Sequence, residues 1–155
     1  RADAFASAVS NLRAFGDAAA ENGVMIVLET HDSFSTGRTV AELIAAAGHP
    51  AVQSLWDLHH PYREGEPIDE TYAFLGPTLG HLHIKDSRPG GEYCLPGEGD
   101  IPLFPMLDRI LDGGYRGAIS LEWEKRWHPE IADPETAFPA YARAVRAYLN
   151  ARNSA

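Results

Sequence analysis

The sequence predicts an α/β protein built on a parallel sheet covered by helices, and three observations point to it. Four short apolar runs, beginning near residues 24, 52, 80 and 117, alternate with segments of helical periodicity. Each run ends in polar residues. The first of them, VMIVL, stays apolar throughout, as a strand buried on both faces must. Strands fed alternately by helices imply parallel pairing through crossover connections. At 155 residues, 45% hydrophobic and 23% charged, the chain has the length and composition of one domain, residues 1–155, with a sizeable core.

The elements follow in order. A first helix places Phe5, Val9, Leu12, Phe15 and Ala19 on one stripe. It feeds the strand VMIVLETH (24–31), then the helix TVAELIAAAG (39–48) and the strand VQSLWDLHH (52–60). A helix holding Tyr72, Leu75 and Leu79 leads to the strand GHLHIKDS (80–87). Two glycines in the loop LPGEGDIP (95–102) permit tight turns, and Asp100 is placed to cap the next helix. That helix, PLFPMLDRILDGG, stops at Gly113-Gly114 and feeds the strand GAISLEWE (117–124). A closing helix carries Phe138, Tyr141, Val145, Tyr148 and Leu149. No glycine-rich phosphate loop follows the first strand, which argues against dinucleotide binding. An open doubly wound sheet and part of a (β/α)8 barrel both remain compatible with this order.

Composition excludes several functions. The net charge of −9 carries no basic stripe, so nucleic acid is not an expected partner. No apolar run approaches the roughly 18–20 residues of a membrane span. The single cysteine, Cys94, provides no internal disulfide framework and fits a reducing cytoplasm. No secretory leader pattern is present, and the sequence opens at Arg1 rather than methionine.

Chemistry is concentrated at the strand ends. Glu29, Asp57, His83 and Glu122 each close one of the four runs, and parallel α/β folds build their sites at C-terminal strand ends. A lone carboxylate there more often caps a helix; four corresponding positions are a different matter. Three carboxylates converging at one height cannot all stay ionised without a cation. Three oxygen ligands and one imidazole suit Mn²⁺, Mg²⁺ or Co²⁺, with Zn²⁺ also compatible. His81, His83 and Lys85 alternate onto one face of a strand, His31 shares the face of Glu29, and Glu124 lies farther out, at a rim. Trp56, Trp123 and Trp127 are expected in the core or in a pocket wall.

The strings LETH (28–31), WDLHH (56–60), HLHIKDS (81–87), LPGEGDIP (95–102) and SLEWE (120–124) resemble the xylose isomerase-like superfamily of sugar phosphate isomerases and epimerases. The resemblance implies a (β/α)8 barrel with one divalent metal, of which this chain supplies the four C-terminal βα units, strands five to eight. It also implies that Glu29, Asp57, His83 and Glu122 are the metal ligands, and that His60 and Arg88 contact substrate. His31, His81 and Lys85 are further candidates for substrate contact.

The function expected from these residues is isomerisation or epimerisation of a sugar or sugar phosphate. Glu29 and Glu122 would exchange a proton at the carbon beside a carbonyl, through a metal-stabilised enediolate. An inosose-type dehydratase could use the same site. A non-catalytic metal-binding half barrel that assembles with a partner, or with a second copy as a homo-oligomer, is the alternative from another class. An apurinic endonuclease is disfavoured by the acidity and by too few histidines for a three-metal cluster. Four strands leave two sheet edges open, which points to a fragment of a longer protein or to paired copies.

Overall fold

The periodicities of the sequence are realised in a computed structural model, which describes residues 2–154. The first helix, α1 (Ala2–Glu21), buries Leu12 and Ala19 against its neighbours. Phe15, expected on the same stripe, is 58% exposed; it points off the buried face. The strand β1 spans Ile26–Glu29. In α2 (Gly37–Ala47) the Thr36 hydroxyl accepts from the Thr39 N–H, and Val40, Leu43, Ile44 and Ala47 are buried. The helix ends at Gly48, whose φ of 62° is left-handed and whose N–H donates to the Ile44 carbonyl.

The strand β2 (Val52–Asp57) stops sooner than expected, because His59–Arg63 coils into a short helix, α3. The next helix, α4 (Ile68–Leu75), passes through a 3₁₀ turn into the strand β3 (Leu79–Ile84). Leu79, expected to close the helix, opens this strand instead. A two-residue strand β4 (Asp86–Ser87) leaves the sheet and pairs antiparallel with β5 (Tyr93–Cys94). Then follow α5 (Leu103–Asp112), β6 (Ile119–Leu121) and α6 (Pro134–Asn153). On α6, Tyr141 is buried while Phe138 is 53% exposed.

The main sheet has the order β1-β2-β3-β6, and every pairing in it is parallel. One face packs on the helices: Val52, Trp56, Leu82 and Ile84 are buried in the main apolar cluster with Leu43, Leu107 and Ile110. The other, inner face carries the polar residues. A bulge sorts β3 between the two, since Ser54 pairs with Leu79 but Leu55 already pairs with His81. The extra residue is Gly80, where a Cβ would collide with the side chains of Gln53 and Val27. Leu79 and Leu82 can therefore both pack on the helices while His81 and His83 face inward.

The loop after β3 is held by three anchors, two of them buried. The Asp86 carboxylate accepts from the N–H groups of Ser87, Gly97, Gly99 and Ile101. The Tyr141 hydroxyl accepts from the Asp86 N–H at 2.7 Å and donates to the Cys94 carbonyl at 2.8 Å. Arg63 donates to the hydroxyl and carbonyl of Ser87 and pairs with Asp100. Asp100 thus serves this clamp and does not cap α5, which starts behind Pro102 without a side-chain cap. Removing the buried hydroxyl in Tyr141→Phe orphans one donor and one acceptor. It is expected to cost about 1–3 kcal/mol in urea-induced unfolding; unchanged stability would show that these bonds do not hold the loop.

Candidate metal centre

Parallel strands deliver their C-terminal ends to one side of the sheet. Glu29 is the last residue of β1 and Asp57 the last of β2, His83 is next to last in β3, and Glu122 follows β6. Asp57 is level with His83, and His83 with Ser120, while Glu29 is level with Leu55. The four are therefore not at one height in the register, as the alternation suggested. The longer glutamate side chains and the tilt of the strands absorb the offset. One ligand atom from each of Glu29, Asp57, His83 and Glu122 lies within 4.8 Å of all the others.

Charge balance dominates this cluster. Asp57 is fully buried; its Oδ1 accepts from the His59 N–H at 2.8 Å and its Oδ2 from Lys85 at 2.7 Å. Lys85, also fully buried, donates to Glu122 Oε2 as well and lies 3.2 Å from Glu124 Oε1. Burial disfavours its charge, but Asp57 and Glu122 outweigh this and hold its pKa above the ordinary lysine value. The His83 Nδ1 bonds Glu29 Oε1 at 2.8 Å and lies 3.7 Å from Glu122 Oε2. Bonding to Glu122 and Glu29 raises its pKa to about 9 against the opposing effect of burial. Burial pushes the Glu122 carboxyl up, yet the bonds from His83 and Lys85 hold it well below the usual range.

The remaining expected residues divide. His60 reaches the cluster, with its Nε2 3.2 Å from the Lys85 ammonium. Burial and the Lys85 charge push its pKa down to about 4, so the ring is neutral. His31 stacks edge-on with His60 at 4.6 Å between centroids. His81 bonds Ser120 Oγ at 2.9 Å beside His83. Arg88 is not brought to the cluster: it pairs with Glu92 and Glu98 on the loop after β3. Of the tryptophans, Trp56 is buried, Trp123 donates to the Ala132 carbonyl, and Trp127 is 70% exposed.

Three residues at the site went unassigned or misplaced in the sequence. Glu124, expected at a rim, curls back where the chain turns after β6, the N–H groups of Trp127 and His128 bonding its carbonyl. Tyr93 donates its hydroxyl to Glu124 Oε1 at 2.9 Å, a contact from the β4–β5 hairpin to the turn after β6 with no local signature. His59 is buried between the rings of His60 and Tyr93. Neither ring nitrogen has a partner among the described residues, and burial pushes its pKa down to about 3.

The donor set of three carboxylates and one imidazole, convergent and without a thiolate, fits a hard or borderline divalent cation. No helix among the described residues is long and apolar enough to cross a membrane.

A family model described as xylose isomerase-like TIM barrel matches residues 1–148. Fructoselysine 3-epimerase of Escherichia coli O157:H7 is 33% identical over 110 residues, covering 66% of this chain and 40% of that protein. Inosose dehydratase of Clostridium botulinum is 26% identical over 165 residues, covering 94% of this chain and 53% of that protein. The chain thus spans about half the length of the curated relatives it matches. Among solved structures, the IOLI protein with a bound zinc atom superposes with a TM-score of 0.75 at 23% identity, over 93% of this chain and 57% of that one.

A metal entering this cluster must displace the extra proton of His83, because only an unprotonated nitrogen ligates. With the His83 pKa near 9, about one proton leaves per ion bound between about pH 7 and pH 9; burial raises the Asp57 carboxyl to about 7, so a second proton enters only below that range. Apparent affinity should therefore rise by up to roughly tenfold per pH unit between about pH 7 and pH 8.5 and flatten above about pH 9. Calorimetry in buffers of different ionisation enthalpy measures both the slope and the proton. A flat profile across that range contradicts the assignment of His83.

Proposed function

The chain belongs to the xylose isomerase-like TIM-barrel family, and on that premise we propose that it carries the metal-binding part of a sugar or sugar phosphate isomerase or epimerase. Its four parallel strands form part of a (β/α)8 barrel. We read them as the last four of eight, with the inner face as one side of the barrel lumen. The open edges of β1 and β6 would each pair with a strand of the other half. Exposed Phe15 and Phe138, and an apolar groove lined by Ile84, Ile119, Leu121 and Val145, support such a neighbour.

The observation that carries the reading is the convergence of Glu29, Asp57, His83 and Glu122 within 4.8 Å. A divalent cation held there would stabilise negative charge developing on the carbonyl and hydroxyl oxygens of a bound sugar. Manganese, magnesium and cobalt suit the donors best, and the zinc in the IOLI protein keeps that ion in the set. Glu29 ends one outer strand and Glu122 directly follows the other, so they can address opposite faces of the reacting carbon. One takes the proton beside the carbonyl and the other returns it, which inverts the centre. The neutral imidazole of His60 and the rings of His31 and His81 are placed to orient sugar hydroxyls.

The similarity to inosose dehydratase covers more of the chain than that to the epimerase, which favours dehydration of a keto-cyclitol as the second reading. Both begin with the same proton abstraction.

The test uses the full gene product. Purified protein should hold about one divalent ion per chain by mass spectrometry. With an accepted ketose in deuterium oxide, it should exchange the hydrogen beside the carbonyl. Glu122→Gln and Glu29→Gln should each lower turnover by roughly 10²- to 10⁴-fold, the usual span for general acid–base catalysis. A product lighter by one water would assign the dehydratase instead. A chain without bound metal would defeat both readings.

A further inference from the structure

The candidate ligands are already engaged with one another and with Lys85. Both oxygens of Asp57 are occupied, Oδ1 by the His59 N–H and Oδ2 by Lys85. The Glu122 oxygen nearest His83 is also the one that Lys85 bonds. A cation can take Asp57 and Glu122 only if the ammonium gives them up, and an ammonium group has donors and nothing else to offer. Left in place, Lys85 would set a positive charge against the metal in a buried site, where such repulsion is poorly screened.

A second seat lies beside the first. Glu124 Oε1 is 3.2 Å from the Lys85 ammonium, and the His60 Nε2 is also 3.2 Å from it. The same Glu124 oxygen accepts a hydrogen bond from the Tyr93 hydroxyl at 2.9 Å, which fixes its position. Its side chain is only 17% exposed, so it keeps much of its attraction for a neighbouring charge. The Tyr93 ring lies 5.4 Å from the ammonium and closes the space over this seat.

We propose that Glu124 is the exchange seat for Lys85: metal entry moves the ammonium off Asp57 and Glu122 and onto Glu124 and His60. Glu124 and Tyr93 are then positioning residues that set metal affinity without touching the ion. The inference rests on the metal site proposed above. It also gives the loop after β3 a role at the site, because Tyr93 is borne on that loop.

The experiment measures Mn²⁺ binding to the full gene product by calorimetry, at one pH, in a double-mutant cycle. Glu124→Gln is nearly isosteric and should weaken binding by about tenfold, within the usual coupling between contacting groups. Lys85→Met removes the competing charge and should tighten binding by roughly tenfold. In the Lys85→Met background, Glu124→Gln should change affinity by less than about twofold, since no ammonium needs a seat. Circular dichroism checks each fold, and Lys85→Gln replaces Lys85→Met if the latter does not fold. An unchanged affinity in Glu124→Gln overturns the proposal. An equal loss in both backgrounds also overturns it, because Glu124 would then attract the metal directly. Wild-type protein that binds no Mn²⁺ defeats the metal reading itself and this inference with it, whereas the other two outcomes leave that reading standing.

Discussion

One fully buried ammonium holds the C-terminal end of the sheet together. Lys85 bonds Asp57 and Glu122 and lies within ion-pair distance of Glu124. Without it, Asp57 and its neighbours would be an uncompensated cluster of negative charge at an apolar strand end. Breaking such a pair by removing one partner is strongly destabilising, because the remaining charge stays buried. Lys85 also offsets the charge where the carboxylates converge. With His83 protonated between Glu29 and Glu122, two positive groups face the carboxylates and keep them convergent. On the proposed reading, a cation could take these carboxylates only once both groups yield.

Rigid supports surround this charge balance. Asp86 gathers four loop N–H groups, Tyr141 ties that loop to α6, and Arg63 ties it to α3. These bonds do not involve the candidate ligands, yet they fix where β5 lies and so where Tyr93 meets Glu124. On the other side, Gly80 lets β3 carry an extra residue, which aims both His81 and His83 inward. Loop and bulge are separate devices with one effect: side chains from noncontiguous segments meet around Lys85.

Much of this was legible in the sequence, and the exceptions have physical causes. The alternation of apolar runs with helical stripes predicted the parallel α/β sheet, but burial of VMIVL on both faces does not hold: Val24 and Met25 are exposed and β1 is half-buried, because it lies at an open edge of the sheet. The resemblance, resting on strings at four strand ends, pointed to the tetrad that the structure brings together. Strict alternation puts Glu124 at a rim because it assumes that the strand continues, whereas β6 ends at Leu121 and the chain turns. Leu79 was assigned to a helix because its apolar spacing suits either period, and the bulge that places it in β3 depends on the room available beside Gln53. Tyr93 carries no signal, since its partners come from segments far away in sequence. Phe15 and Phe138 satisfied a helical stripe but not burial, because periodicity reports an apolar face and not what covers it.

The same charge argument bears on what completes the barrel. A second copy of this chain could pair its β6 with the open β1 and its β1 with the open β6, closing eight strands around a two-fold axis. That assembly would place two sets of Glu29, Asp57 and Glu122 around one lumen, doubling the negative charge to be balanced there. Two ions and two lysines would be needed to offset it. A half whose inner face is less charged avoids the conflict and leaves space opposite the tetrad. On the proposed reading, a non-identical set of βα units would avoid that doubling, and the inosose dehydratase it matches is about twice the length of this chain. In that arrangement the half described here supplies the charge, and its counterpart supplies the wall against which substrate is held.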